Sequence, residues 1–145
     1  MILLRFTRSN RLISHLIRFF TWSQYSHVEI VIRGEGYLGA CGNGGVQLRS
    51  LDYDPHCHYI LRRVACTPLQ AAQVIQFAKD KIGDPYYYTA ILGFLVRRDW
   101  HEPRHWFCSE LVAAAFEYAK IYKFPIKLNR ITPERILELP EDENE

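Results

Sequence analysis

Alternating apolar and polar residues predict a set of short strands in the first half of the chain. Between positions 26 and 33, every second residue is a branched aliphatic: Val28, Ile30 and Ile32. The intervening positions place His27 and Glu29 together on the opposite face, and this spacing of two is typical of a half-buried strand. Shorter apolar runs predict further strands at positions 1–6, 37–40, 46–50 and 59–64. Asn43-Gly44, between two of these runs, is a strong hairpin signal.

A second spacing, of three and four residues, predicts helices. Thr67-Pro68 is a typical helix start, and apolar residues then recur at helical spacing as far as Gly83. The same spacing follows Cys108 to about Tyr122, and Thr132-Pro133 opens a last short helix. We also expect a helix at 10–20 and a helix or buried turn at 90–96. Together these elements predict an α+β fold, with a small antiparallel sheet packed against helices.

Length and composition are those of one globular domain. The chain has 145 residues, of which 48% are hydrophobic and 23% are charged, so it is long enough to bury a core. We assign positions 1–140 to a single domain and 141–145 to an acidic tail. The net charge of +2 is too small to predict a nucleic-acid partner.

The sequence predicts a cytoplasmic chain. No apolar run reaches transmembrane length, and Arg5, Arg8 and Arg11 interrupt the apolar start, so we expect no export signal. The four cysteines form no CxxC pair and are expected to stay reduced, whether a bacterium or a phage encodes the chain. The basic segment 10–20 could lie on a membrane, but a core-facing helix is the commoner outcome.

Cys108 stands where a charged loop ends and a helix begins. A thiol at a helix N-terminus feels the positive end of the macrodipole and unpaired N–H groups, and both favour the nucleophilic thiolate. Most free cysteines are simply small buried residues, so a catalytic role needs a second group. His27 on the early strand is a candidate base, and Glu29 on the same face is a candidate group to orient its imidazole.

The order of several short motifs resembles that of the circularly permuted papain-like family, which includes NlpC-like amidases and peptidases and lecithin–retinol acyltransferase-like enzymes. The motifs are the opening strand and helix, Tyr25-Ser26-His27-Val28-Glu29-Ile30-Val31, Gly44-Gly45-Val46, Gly83-Asp84-Pro85-Tyr86 and Phe107-Cys108-Ser109-Glu110-Leu111-Val112. The resemblance implies a papain-like core, in which a helix carrying Cys108 packs against a sheet carrying His27. It further implies amide, ester or thioester chemistry through an acyl-enzyme and without a cofactor. The leading function is hydrolysis of an amide, in cell-wall peptide or a lipid–amine conjugate.

The resemblance also implies roles for individual residues. Cys108 would attack the carbonyl, His27 would act as acid and base, and the hydroxyl of Tyr86 would help to hold the oxyanion. The family often carries a third polar residue on the strand that neighbours the histidine. This chain has Leu38-Gly39-Ala40-Cys41 there, so Glu29, a backbone carbonyl or no group at all is left to orient His27.

Three other interpretations stay open. Positions 101–105 match the HExxH zinc motif, but Pro103 would break the continuous helix that this motif needs. A looser site from His101, His105 and Cys108 would need correct ligand geometry, and we predict no metal site there or at 56–58. The Cys108–His27 pair could transfer an acyl group to an acceptor other than water. The fold could also serve as a non-catalytic binding or assembly module.

Overall fold

Five strands in the first half of the chain form one antiparallel sheet. They are β1 (Ile2–Arg8), β2 (His27–Ile32), β3 (Gly36–Cys41), β4 (Gly45–Arg49) and β5 (His58–Val64). Their order across the sheet is β4-β3-β2-β1-β5, so β2 is the central strand. The computed structural model describes residues 1–8, 24–41, 44–52, 58–86 and 106–143.

Three α-helices follow the sheet in the described part of the chain: α1 (Pro68–Lys79), α2 (Cys108–Tyr118) and α3 (Pro133–Leu137). Thr67 and Gln70 form a capping box at α1, since each side chain accepts a hydrogen bond from the backbone N–H of the other residue. Thr132 caps α3 by accepting from the N–H of Arg135. The predicted α+β fold with a small antiparallel sheet is confirmed.

The strands separate an apolar face of the sheet from a polar one. The centre of the apolar face is completely buried and includes Leu4, Phe6, Val28, Ile30, Leu38 and Ala40. It belongs to one core with residues of α2, among them Leu111, Val112 and Phe116. On the other face, the pairing of β1 with β2 places Arg5 opposite Glu29 and Thr7 opposite His27.

Helix α2 ends one turn before the predicted Tyr122. Lys120 has a positive φ of 58°, and the N–H of Ile121 donates to the carbonyl of Phe116 at 3.0 Å. The N–H of Lys120 donates to Glu117 at 3.1 Å, which completes a Schellman motif. This motif stops the helix although the apolar spacing continues, so backbone geometry at Lys120 decides the boundary.

Several predicted features lie outside the described residues. They are the helix at 10–20, the segment 90–96, the HExxH positions 101–105 and residues 56 and 57. In the part that is described, no helix combines the length and apolar character that crossing a membrane requires. The first residues of the acidic tail contact β5: Glu141 pairs with Arg62, and the N–H of Asp142 donates to the carbonyl of Arg63 at 2.8 Å.

Candidate active site

Cys108 is the first residue of α2 and lies beside the start of β2. Its side chain is completely buried, and its Sγ lies 3.8 Å from the carbonyl oxygen of Ser26, a residue 82 positions earlier in the chain. Phe107 occupies the N-cap position, and no side chain caps the helix. The backbone N–H groups of the first turn therefore have no side-chain cap, and Cys108 lies at the positive end of the helix dipole.

A hydrogen-bond network joins Trp106, two residues before α2, to residues 83–85 and to β4. The N–H of Val46 donates to the carbonyl of Asp84 at 2.9 Å, and the N–H of Gly83 donates back to Val46 at 3.0 Å. The N–H of Trp106 donates to Pro85 at 2.9 Å, and its indole N–H donates to the Asp84 carboxylate at 3.0 Å. These bonds set the position of the start of α2 relative to β4.

His27, the first residue of β2, lies beside a carboxylate and close to two thiols. Its Nε2 lies 3.1 Å from Oε2 of Glu29, and the side chains of Cys108 and Cys41 are close enough to its ring to influence its pKa. Burial lowers the pKa of His27, but the Glu29 carboxylate, with further contributions from the two thiols, outweighs burial and holds the pKa well above its usual value. The side chain keeps 20% of its surface exposed, so it is the part of the group that solvent can reach.

Glu29 is a buried carboxylate with partners on both oxygens. Oε1 accepts from Nε of Arg5 at 2.6 Å and lies 2.5 Å from its Nη2, while Oε2 faces His27. Burial raises the pKa of Glu29, but the opposite charges of His27 and Arg5 outweigh burial and lower it. The structure thus places the three residues predicted as catalytic, Cys108, His27 and Glu29, in one group.

Arg5 is the member of this group that sequence reasoning missed. It is 4% exposed and lies directly across from Glu29 in the pairing of β1 with β2. The signal was a lone arginine between Leu4 and Phe6, since a charge within an apolar strand needs a buried partner.

Gly39 accounts for the missing polar residue on the neighbouring strand. A Cβ at this position would lie 3.0 Å from the Cβ of Glu29. The glycine leaves space for the glutamate side chain, so the carboxylate near His27 comes from β2 rather than from β3.

Tyr86 packs at the start of α2. Its ring centroid lies 5.8 Å from that of Phe107, and only 8% of the residue is exposed. This contact accounts for its burial, and its role as an oxyanion donor stays a prediction.

Glu110, in the first turn of α2, is a second buried carboxyl group. It is 2% exposed, and neither of its oxygens has a hydrogen-bond partner. Burial raises its pKa to about 7. Burial therefore favours the protonated form of Glu110, although the helix dipole would favour a carboxylate in this first turn.

Comparison with known proteins gives one informative similarity. No protein-family model and no curated protein sequence matches the chain. Among solved structures, the chain is similar to the crystal structure of the metalloprotein YiiX from Escherichia coli O157:H7, DUF1105, with a TM-score of 0.63 and 26% identity. The match covers 81% of this chain but 64% of that one, so the chain spans less than two thirds of its structural neighbour.

The expected membership of the circularly permuted papain-like family is wrong. The structural neighbour is a DUF1105 metalloprotein and not an NlpC-like or lecithin–retinol acyltransferase-like enzyme, and the described chain is a small antiparallel sheet with helices. Each motif behind the expectation is only a few residues long. A cysteine at a helix start and a histidine on a strand recur in unrelated folds, so their order does not identify a family.

Proposed function

We propose that this chain is a hydrolase that cleaves amide bonds with a cysteine nucleophile, through an acyl-enzyme. The observation that carries the proposal is the position of His27, with the Glu29 carboxylate 3.1 Å from its Nε2 and the Cys108 sulfur 3.8 Å from the carbonyl oxygen of the preceding residue, Ser26. Orienting carboxylate, acid–base and nucleophile in contact are the components of nucleophilic acyl transfer. The substrate would be the amide of a peptide or of a lipid–amine conjugate.

The reaction would begin with transfer of the thiol proton from Cys108 to His27. A protonated imidazole beside sulfur favours a thiolate in general, and the Glu29 carboxylate raises the pKa of His27. The thiolate attacks the carbonyl carbon, His27 gives its proton to the leaving nitrogen as the C–N bond breaks, and a thioester remains. His27 then takes a proton from water as the water oxygen attacks the thioester, which releases the acid and restores the thiolate.

The complete burial of Cys108 favours a second candidate, a non-catalytic binding or assembly module. A buried thiol of this kind is typical of a packing residue. In that case the hydrogen bonds around His27 would serve the stability of the fold. The two candidates differ in one measurable property, the reactivity of the Cys108 sulfur at low pH.

A metal-dependent function, suggested by the description of the neighbour as a metalloprotein, fits the described residues less well. No three His, Cys, Asp or Glu side chains come together there as a metal-binding group. The raised pKa of His27 favours a protonated imidazole, which offers no lone pair to a metal, and Glu29 is already paired with Arg5.

Alkylation by iodoacetamide, followed at each cysteine by mass spectrometry from about pH 5 to pH 8, separates catalysis from packing. We expect Cys108 to react about tenfold or more faster than the partly exposed Cys66 below pH 7, because Cys108, unlike Cys66, has an imidazolium beside it. His27→Ala should remove this low-pH reactivity. Cys41→Ser, which changes the other thiol at the ring, should keep it.

Two results would count against the hydrolase. The first is alkylation of Cys108 no faster than Cys66 in the wild-type protein, and the second is unchanged low-pH reactivity in His27→Ala. Transfer to an acceptor other than water would use the same acyl-enzyme. Analysis of products with and without an added amine separates transfer from hydrolysis.

A further inference from the structure

We propose that Arg5 is a positioning residue of this site, which acts on His27 through Glu29. Its guanidinium fixes one oxygen of the carboxylate, so that the other oxygen stays directed at the imidazole. The role assigned to the thiol rests on the proposed function, whereas the effect on His27 can be measured without it.

The geometry divides the two oxygens of Glu29 between two partners. Two nitrogens of Arg5, Nε and Nη2, lie 2.6 and 2.5 Å from Oε1, and Nε2 of His27 lies 3.1 Å from Oε2. The side chains of Arg5 and Glu29 are 5% and 1% exposed, so water does not screen their attraction as it would at a surface. Since the two residues are direct cross-strand neighbours, their backbones fix this arrangement.

Arg5 is itself held in place from the side. Its guanidinium carbon lies 3.6 Å from the ring centroid of Tyr37 on β3 and 5.7 Å from that of Tyr59 on β5. A planar guanidinium can lie on an aromatic ring and donate from two nitrogens at the same time, and a lysine ammonium cannot reproduce both contacts. The strands on both sides therefore restrict where the charge of Arg5 can lie.

The balance of charges in the site also favours an arginine at position 5. Glu29 has two cationic neighbours when His27 is protonated, so the group of three carries one net positive charge. A thiolate at Cys108 would neutralise this charge, whereas a neutral thiol would leave it buried. Without Arg5, only His27 would oppose the effect of burial on Glu29, so the pKa of Glu29 would rise and its carboxylate would hold the proton of His27 less strongly.

The test is an NMR titration of the His27 imidazole in Arg5→Met and Arg5→Lys, with Arg62→Met as the matched control. Arg62 lies on the adjacent strand and pairs with Glu141 at the surface. We expect the His27 midpoint to fall in Arg5→Met, to fall less in Arg5→Lys, and to stay in place in Arg62→Met. At a pH above both midpoints, alkylation of Cys108 should slow about tenfold for each unit of fall.

A double-mutant cycle with Glu29→Gln shows whether Arg5 acts through Glu29. Once Glu29→Gln is present, adding Arg5→Met should change the His27 midpoint no further. The double variant removes both Arg5 and Glu29, so neither is left as an unpaired buried charge. It can therefore be measured even if Arg5→Met alone does not fold. A wild-type midpoint in both Arg5→Met and Arg5→Lys, or a further fall of the midpoint in the double variant, would overturn the proposal. Ordinary Cys108 reactivity in the wild-type protein would instead overturn the hydrolase, and the role of Arg5 toward His27 would stand.

Discussion

Glu29 and Glu110 are both almost completely buried, but their neighbours shift the pKa of the two carboxyl groups in opposite directions. Glu29 has cationic partners on both oxygens, and its pKa is lowered. Glu110 has no hydrogen-bond partner on either oxygen, and burial raises its pKa to about 7. The first carboxylate belongs to the candidate site, and the second is a source of pH-dependent stability.

Glu110 should make the protein less stable as the pH rises toward neutrality. The pKa is 4.5 in the unfolded chain and about 7 in the folded one, so between these values only the folded chain holds the proton. The free energy of unfolding then falls by about 1.4 kcal/mol per pH unit, or about 3 kcal/mol in all. This contribution is fully present below the unfolded pKa and is lost as the pH passes through the folded pKa.

Urea denaturation of Glu110→Gln as a function of pH tests this prediction. The amide cannot ionise, so the variant should lose the downward slope between about pH 5 and pH 7 that the wild-type protein shows. Glu138→Gln, which changes the exposed glutamate that follows α3, should keep the wild-type slope. Parallel slopes for Glu110→Gln and the wild-type protein would show that Glu110 does not hold its proton in the folded state.

At this scale the sequence predicts some contacts and not others. Glu29 and His27 are two residues apart on one strand, so their shared face follows from the spacing alone. Arg5 meets Glu29 only through the register of β1 on β2, and no local pattern specifies that register. The need for a buried partner is visible in the sequence, but the identity of the partner is not.

At the scale of elements, local sequence predicts the strands and the helix starts better than it predicts the end of α2. Thr67-Pro68 and Thr132-Pro133 both start helices as predicted, because capping and proline act within one turn. The end of α2 depends also on a tertiary contact. The side-chain amide of Gln70, on α1, donates to the carbonyls of Ala119 and Lys120 at 3.1 and 3.3 Å.

Replacement of Lys120 by glycine should stabilise the protein. In the left-handed region, a residue with a Cβ is destabilised by about 1–2 kcal/mol. Glycine avoids this strain but destabilises the folded state by about 0.5–1 kcal/mol, because its unfolded chain has more conformational entropy. We therefore expect Lys120→Gly to raise the free energy of unfolding by about 1 kcal/mol, measured in urea. Lys120→Ala, which keeps a Cβ, should show no such gain, and an equal gain in both variants would contradict the role of the positive φ.

At the scale of the whole molecule, the candidate site joins two distant parts of the chain. Ser26 and Cys108 are 82 positions apart, and they meet because the core places α2 against the apolar face of β2 and β3. Motif order suggested a wrong family because short motifs report local geometry, whereas a family is defined by the whole fold. The pairing of His27 with Cys108 was nevertheless predictable, since a base and a nucleophile are recognisable as residue types before their contact is known.

A distortion of β4 should change the surroundings of Cys108. Hydrogen bonds join β4 to Asp84, and Trp106, two residues before Cys108, is hydrogen-bonded to Asp84 and Pro85. Gly45 and Gly34 have nearly the same positive φ, 74° and 76°, so alanine should pay the same backbone cost of about 1–2 kcal/mol at either position. A Cβ at Gly45 would also lie 2.2 Å from the carbonyl oxygen of Asp84, whereas a Cβ at Gly34 would meet no atom within 4 Å. Gly45→Ala should therefore lose about 1–3 kcal/mol more than Gly34→Ala in urea denaturation, since the backbone at Asp84 must move.

The same pair of variants tests whether residues 84 and 85 position the thiol. Because Asp84 and Pro85 are hydrogen-bonded to Trp106, only Gly45→Ala should alter the pH profile of Cys108 alkylation. Equal profiles in the two variants would show that these residues do not position the thiol.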